Sequence, residues 1–299
     1  MDLMDWDDLR VFLAVARGES LSVAGRALKL DPATVGRRIA RLELALGGRL
    51  FAKSPQGYAL TDEGQRLLDH AVRAEQAVAG AVGALRDGAG GLTGTIRIGA
   101  PDGCANYLLP QVLAAICDAN PGLEVQIVAL PRVFNLSKRE ADMAIAVSRP
   151  TAGRLIVQKV TDYQLHLAAS RAYLARHKPI RALGDLRGHR VIGYIPDMIF
   201  DKELDYLAEI GAETVPLSSN SVSVQFNWVR SGAGVAVVHD FALPSAPEVA
   251  RILPEALSLT RSFYLIRHEG DRKVDRLNRF AEALVTGLRG EVARLEAIT

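Results

Sequence analysis

The sequence has little of what secreted, metal-binding or membrane-spanning proteins require. Its two cysteines, Cys104 and Cys117, are too few for a disulfide framework, and neither stands in a CxxC or Cys/His spacing typical of zinc. No run approaches the roughly 18–20 apolar residues of a membrane helix. The opening residues, MDLMDWDDLR, are acidic and lack the apolar stretch of a signal peptide. We therefore expect a cytoplasmic protein with no metal, no cofactor and no membrane contact.

Aromatic residues make up only 6% of the chain, but 49% is hydrophobic and 23% charged, which is typical of a globular protein. Its 299 residues suit two or three domains. An enzyme or a small-molecule carrier is the alternative, but the sequence shows no P-loop, nucleophile elbow or carboxylate pair that would support it. We therefore expect a protein that is not an enzyme.

Three helices and a hairpin are predicted in the first 60 residues. Ser20 can cap a short second helix, and Asp31-Pro32 opens a third, because Asp is a favoured N-cap and Pro fits the first helical position. In the third helix an apolar stripe is expected to be buried: Val35, Ile39, Leu42 and Leu46. Leu50–Phe51 and Tyr58–Leu60, around Pro55-Gln56-Gly57, predict a two-stranded wing.

A long helix follows the wing, capped by Thr61 and carrying Asp62 and Glu63 in its first turn. Its apolar residues have heptad spacing: Leu67, Ala71, Ala74, Val78, Ala81 and Leu85. This seam favours a helix that pairs with a second subunit. The alternative is a helix that lies on its own domain.

Gly88-Ala89-Gly90-Gly91 ends the helix and is the clearest linker in the chain. Beyond it, short apolar strands alternate with helices in two similar series, which predicts two lobes with a mainly parallel sheet. Ligands of such folds bind between the lobes, at the carboxyl ends of strands.

The predicted fold is therefore α+β and multidomain: a winged helix-turn-helix, a long linker helix and a two-lobed α/β domain. We place the boundaries at residues 1–61 for the first domain and 62–93 for the linker helix and hinge. The first lobe is predicted over 94–161 plus 268–299, and the second over 162–267.

The third helix combines the buried stripe with a basic face on its opposite side. Residues 26–53 hold seven basic and two acidic residues, a balance of +5, whereas residues 1–25 have a balance of −3. Such polarised charge supplies attraction to phosphates, and base-edge contacts from a helix in the major groove add sequence specificity. A merely solvated basic face is the alternative, but the short helix before it and the basic wing favour double-stranded DNA as the partner.

Eight residues are predicted to contact DNA. Those expected near bases are Ala33, Thr34, Arg37 and Arg38, and those expected nearer phosphates are Ser22, Arg41, Lys53 and Gln56.

At these positions the sequence resembles the LysR-type transcriptional regulators. The residues that carry the resemblance include Ser20-Leu21, Ala24, Ala27-Leu28, Pro32-Ala33-Thr34-Val35, Arg37-Arg38-Ile39, Leu42-Glu43, Leu46-Gly47, Leu50-Phe51, Leu60-Thr61 and Gly64. The resemblance continues more weakly through residues 94–101, 109–110, 172–174 and 232–236. It implies a dimer through the linker helix, often a tetramer, and an effector domain of the periplasmic-binding-protein type. RNA polymerase is then expected as a further partner.

Three residues depart from the family pattern. Gly36 stands where the family usually has Ser, Lys53 replaces the usual wing arginine and so loses its planar fork, and Asp31 replaces the usual capping Ser. The loop Pro101–Asn106 also departs: the family commonly offers Ser or Thr to an effector carboxylate there, but this chain offers Asp102, Gly103 and Cys104. Because a carboxylate repels an acid, a neutral or amine-bearing effector, or none, is expected. In the alternative, Asp102 only caps the following helix.

The predicted effector-binding residues are Asp102, Cys104, Phe134, Arg149, Tyr194, Ser219, Asn220 and Ser221. Cys104 is expected to be a buried thiol rather than a redox switch. The sequence thus predicts a DNA-binding transcriptional regulator controlled by a small molecule between two lobes. The alternative is a constitutive regulator whose cleft is occluded and takes no effector.

Overall fold

The computed structural model describes residues 5–54, 57–86, 91–129, 141–150, 153–199, 201–212 and 214–299. Of the predicted site residues, Gln56 and Phe134 lie outside these ranges. The chain divides into two compact units, Met1–Gly88 and Ala89–Thr299, each with its own hydrophobic core. Within the described ranges, no helix is long and apolar enough to cross a membrane.

The first unit begins with three short helices whose boundaries follow from local capping. They are α1 (Trp6–Gly18), α2 (Leu21–Leu28) and α3 (Pro32–Leu46). The Asp31 carboxylate accepts a hydrogen bond from the Ala33 amide at 2.8 Å, and Ser20 caps α2 in the same way. Both predicted caps are confirmed.

The apolar side of α3 packs on α1. Val35, Ile39 and Leu42 are buried together with the fully buried Phe12 of α1. The prediction for Leu46 is wrong, because its side chain is 45% exposed. It is the last residue of α3, one position before Gly47 turns the chain away in the left-handed conformation, and so it lies beyond the contact with α1.

The wing and the long helix complete this unit. Strands β1 (Phe51–Ser54) and β2 (Gly57–Leu60) pair antiparallel, and α4 spans Asp62–Arg86 behind the Thr61 cap. On α4, the predicted seam residue Ala71 packs into the core of the unit together with Leu68 and Val72, whereas Val78 is 65% exposed. The helix thus lies on its own unit near its beginning and offers an apolar side chain to solvent further along.

The second unit alternates strands and helices. Its strands are β3 (Gly94–Ala100), β4 (Leu123–Ala129), β5 (Met143–Ala146), β6 (Leu155–Ser170), β7 (Ile192–Gly193), β8 (Leu217–Ser218), β9 (Val235–His239), β10 (Val249–Arg251) and β11 (Ser258–His268). Its α-helices are α5 (Asp102–Tyr107), α6 (Leu109–Asp118), α7 (Arg171–Arg176), α8 (Leu207–Ile210), α9 (Val222–Arg230) and α10 (Asp275–Glu296). Short 3₁₀ helices span Leu183–Gly188, Pro196–Met198, Lys202–Leu204, Asp240–Ser245 and Glu269–Asp271.

The large sheet of this unit is mixed, which corrects the expectation of a mainly parallel sheet. Strand β3 pairs parallel with β4 and β5, but β6 pairs antiparallel with β9, β10 and β11, and β11 pairs antiparallel with β5. The apolar runs of the sequence correctly indicated strands, although β4 is largely exposed, and they carry no signal for strand direction.

Two long strands, β6 and β11, join two lobes. One end of this paired ribbon adjoins β5, β3 and β4, and the other end adjoins β9 and β10, beside the small β7–β8 sheet. The pairing register shifts between Phe263 and Tyr264, at the middle of the ribbon. Helix α10 packs against α6 and β6. The two-lobed α/β architecture is therefore confirmed.

Candidate DNA-reading surface and effector cleft

The N-terminal half of α3 presents a polar, exposed face. Ala33 and Arg37 are exposed and Thr34 is partly exposed. Arg37 donates a hydrogen bond to the Thr34 hydroxyl oxygen at 3.0 Å, one turn earlier on the same helix. Among the described residues, Arg37 makes no ion pair with an acidic side chain. Its guanidinium keeps its other N–H donors for an outside acceptor.

Arg38 and Arg41 on the same helix are instead held by acidic residues at the beginning of α1. Arg38 donates a hydrogen bond to the Asp7 carboxylate, and its side chain is 28% exposed. Arg41 donates to both oxygens of Asp8, at 2.6 and 2.7 Å, and to Asp5 at 2.9 Å. Asp8 is buried, at 1% exposure. The hydrogen bond from Arg38 holds the pKa of Asp7 below its usual value.

These contacts divide the basic face of α3 into two parts. We call the residues that make them the acid–arginine cluster: Asp5, Asp7, Asp8, Arg38 and Arg41. Arg37 is oriented outward, whereas Arg38 and Arg41 fix α3 on α1. The sequence showed the opposite charges of residues 1–25 and 26–53. It did not show that the two groups pair, because their partners are 31 to 36 residues apart.

The remaining predicted DNA-contacting residues that the structure describes are also at the surface. Ser22 is exposed on α2, and Lys53 is exposed on β1, where its ammonium lies 5.6 Å from the centroid of the Tyr58 ring. That contact keeps the Lys53 side chain on the wing.

A small cavity lies between the lobes of the second unit. Its volume is about 20 Å³, room for a single water molecule. Four of the predicted effector-binding residues line it: Asp102, Cys104, Tyr194 and Asn220. Other residues that were not predicted also line it, among them Tyr163, Phe263 and His239. Tyr163 and Phe263 come from the β6–β11 ribbon and stack with ring centroids 4.2 Å apart, a pairing that no local sequence signal reveals.

Asp102 bridges the cleft. One oxygen of its carboxylate accepts hydrogen bonds from the Ser221 hydroxyl at 3.0 Å and from the Ser223 amide at 2.8 Å. The other oxygen accepts from the Asn106 side-chain amide at 3.1 Å. The N-cap of α5 is Pro101, with no side-chain capping bond. The alternative in which Asp102 only caps its own helix is therefore wrong, because Asp102 caps α9 of the other lobe.

The neighbours of Asp102 are neutral and buried. Burial lowers the pKa of His239 to about 4, and the opposing field of Asp102 does not reverse this, so the imidazole is uncharged at neutral pH. Burial also raises the pKa of the fully buried Cys104 thiol well above its usual value. A protonated, inaccessible thiol is a poor nucleophile. Cys104 is thus part of the packing of the cleft.

The remaining predicted effector-binding residues are placed differently. The Ser219 hydroxyl accepts a hydrogen bond from the Ser221 amide and so shapes the turn before α9. Arg149 is not among the residues that line the cavity, and its guanidinium lies over the Tyr264 ring, 5.3 Å from the centroid. The structure therefore brings Asp102, Ser221 and their neighbours together but leaves Arg149 apart.

A winged helix-turn-helix unit followed by a two-lobed α/β unit with a cleft defines a class of DNA-binding transcription regulators that carry a sensing domain. The chain belongs to the LysR family: a family model described as the bacterial regulatory helix-turn-helix protein of the lysR family matches residues 6–65, and one described as the LysR substrate binding domain matches residues 89–289. It is accordingly a DNA-binding transcription regulator and not an enzyme.

Relatives and solved structures agree with this assignment. The chain is 28% identical over 253 residues to the HTH-type transcriptional regulator PtxR of Pseudomonas aeruginosa, covering 83% of this chain and 80% of PtxR. It is 29% identical over 243 residues to DmlR of Escherichia coli, covering 77% of this chain and 76% of DmlR. A full-length OxyR variant from Pseudomonas aeruginosa has the same fold, with a TM-score of 0.70 and 18% identity. The match covers 96% of this chain and 95% of the OxyR chain. LysG from Corynebacterium glutamicum, with bound effector arginine, has a TM-score of 0.65 and 17% identity. The match covers 96% of this chain and 99% of the LysG chain.

Proposed function

We propose that this regulator reads its operator with the N-terminal half of α3, with Ala33, Thr34 and Arg37 at the bases. The observation that supports this most directly is the outward position of Arg37, the one α3 arginine that the acid–arginine cluster does not hold. A guanidinium with unused donors suits the two acceptors of a guanine edge in the major groove.

The other predicted contacts have supporting roles. Ser22, Lys53 and Gln56 lie nearer phosphates, where they set the position of the protein on the duplex. Arg38 and Arg41 reach DNA by exchanging a carboxylate of α1 for a phosphate or a base edge. Each exchange leaves an acidic side chain of α1 without its arginine, and one of these, Asp8, is buried away from water. These two residues therefore contribute less net affinity than Arg37 does.

Selection of genomic DNA fragments by the purified full-length protein tests this proposal. We expect enrichment of fragments that share one motif, with two half-sites related by a twofold axis, because dimeric helix-turn-helix proteins bind such sites. The expected affinity for the motif exceeds that for unrelated DNA by about 10³-fold or more at physiological salt. Retention of all fragments alike, with loss of binding at higher salt, would indicate charge-driven binding only and contradict sequence-specific reading.

We further propose that a small molecule controls the protein from the cleft between the lobes, with residues 94–161 and 268–299 as one lobe and 162–267 as the other. The cleft lies at the β6–β11 ribbon, where a change in lobe angle would reposition the attached DNA-binding units. A solved structure with the same fold, LysG, holds effector arginine. The candidate contacts for the effector are Asp102, Cys104, Tyr194, Ser219, Asn220 and Ser221. Two further residues stay predictions: Phe134, which lies outside the described residues, and Arg149, which does not line the cavity.

A second candidate, constitutive DNA binding without an effector, is supported by the size of the cavity, which has room for only one water molecule. The melting temperature of the full-length protein in fractions of a metabolite extract separates the two. A ligand at a hundred times its dissociation constant stabilises the protein by about 2.7 kcal/mol, which raises the melting temperature by several degrees. If no fraction raises it, the constitutive function is favoured.

Assembly and location complete the proposal. The exposed Val78 on α4 belongs to the heptad seam, so we assign pairing of two subunits to α4 and a tetramer to further contacts between such dimers. RNA polymerase is the proposed partner at the promoter, and the cytoplasm is the proposed location.

A further inference from the structure

We propose that Asp102 is a built-in ligand of the cleft: its carboxylate occupies an anion-binding position at the N-terminus of α9 and holds the two lobes closed. The inference rests on the proposed role of this cleft as the effector site. It adds that the anion position is filled by the protein itself.

The geometry at α9 is that of a bound carboxylate. The first-turn amide of Ser223 and the hydroxyl of the N-cap residue Ser221 both donate to one Asp102 oxygen, at 2.8 and 3.0 Å. Unpaired amides and the helix dipole make a helix N-terminus attractive to an anion. Asp102 and Ser223 are 121 residues apart in the sequence and lie on different lobes. The contact is therefore a bridge between lobes and not a local turn.

Three features beside this bridge indicate a closed cleft. The Tyr107 and Phe226 rings meet edge to face across the lobes, 5.7 Å between centroids. The remaining cavity, about 20 Å³, has room for no more than about one water molecule. The imidazole of His239 packs so closely on Gly103 that a Cβ there would lie 3.3 Å from it. A small ligand can enter only when the lobes separate.

The bridge made by Asp102 determines whether a small carboxylate can bind at the N-terminus of α9. In the protein as it stands, a small carboxylate is excluded from α9 because the Asp102 carboxylate occupies its donors and repels a second anion. When the side chain is removed, the Ser221 hydroxyl and the Ser223 amide lose their acceptor. The vacated space, together with the adjoining cavity of about 20 Å³ that Asp102 lines, then accepts a carboxylate the size of acetate.

Amide hydrogen exchange on the full-length protein tests the proposal, with acetate as the probe. In Asp102→Ala, we expect exchange in the segment of residues 219–226 to become about tenfold faster, the loss expected for a hydrogen bond to a charged acceptor. Sodium acetate should restore slow exchange in this variant, whereas sodium chloride at equal ionic strength should not. In the unchanged protein, acetate should have no effect.

Two further variants keep the result interpretable. Asp102→Asn retains the volume and a weaker acceptor, so we expect an intermediate exchange rate and no response to acetate. Asp118→Ala removes an exposed carboxylate from α6 and should behave like the unchanged protein. Unchanged exchange in Asp102→Ala, or an equal acetate response in every variant, would overturn the proposal. The proposal of effector control is tested by a separate result, and it is contradicted if no metabolite fraction raises the melting temperature of the unchanged protein.

Discussion

Replacing Arg37 by alanine is expected to weaken binding to the selected operator by about 1–3 kcal/mol, roughly a 5- to 150-fold loss of affinity. The reason is that Arg37 faces outward from α3 with no ion pair among the described residues, so its donors are available to a base edge. The fold of the unit should be unaffected, because an exposed side chain is removed. Fluorescence anisotropy with operator and unrelated duplexes measures both affinities.

Two variants control for charge. Arg37→Lys keeps the positive charge but loses the planar fork, so we expect it to lose operator preference while it retains binding to unrelated DNA. Arg66→Ala removes an exposed arginine from α4 and should change the operator affinity little. Operator binding by Arg37→Ala equal to that of the unchanged protein would remove the assignment of α3 as the recognition helix.

The sequence predicted the first unit well because its elements are defined locally. Asp31 and Thr61 cap their helices through amides two or three residues away, and the wing needs only a turn between two short strands. Such signals lie within a few residues of the element that they begin. The position of Leu46 was the exception, because burial at the end of a helix depends on what packs there.

The sequence could not reveal contacts between residues that are distant along the chain. The pairing of Asp8 with Arg41 and that of Asp102 with Ser221 depend on how whole elements pack. Asp102 illustrates this. It was predicted to contact an effector, with a cap on its own following helix as the alternative, and in the structure its carboxylate accepts from Ser221 at α9, 119 residues further along the chain. Candidate residues are visible in a sequence, but the partner that gives each its role is not.

The acid–arginine cluster leads to a second large expected effect, on stability rather than on DNA reading. Arg41→Met should lower the melting temperature of the first unit by roughly 5–10 °C, because it leaves the buried Asp8 carboxylate without its bidentate partner. Arg38 lies 4.0 Å from Asp8 and is already bound to Asp7, so it compensates only in part. Circular dichroism follows the melting, and hydrogen exchange in α1 locates it.

The matched control is the double variant Asp8→Leu with Arg41→Met. Replacing both members of a buried ion pair by apolar residues is often neutral, whereas removing one member is costly, so the second substitution should recover much of the lost melting temperature. A double variant no more stable than Arg41→Met, or a single variant as stable as the unchanged protein, would show that the pair does not fix α3 on α1. Arg41 would then be as available to DNA as Arg37, and the division of the basic face would be lost.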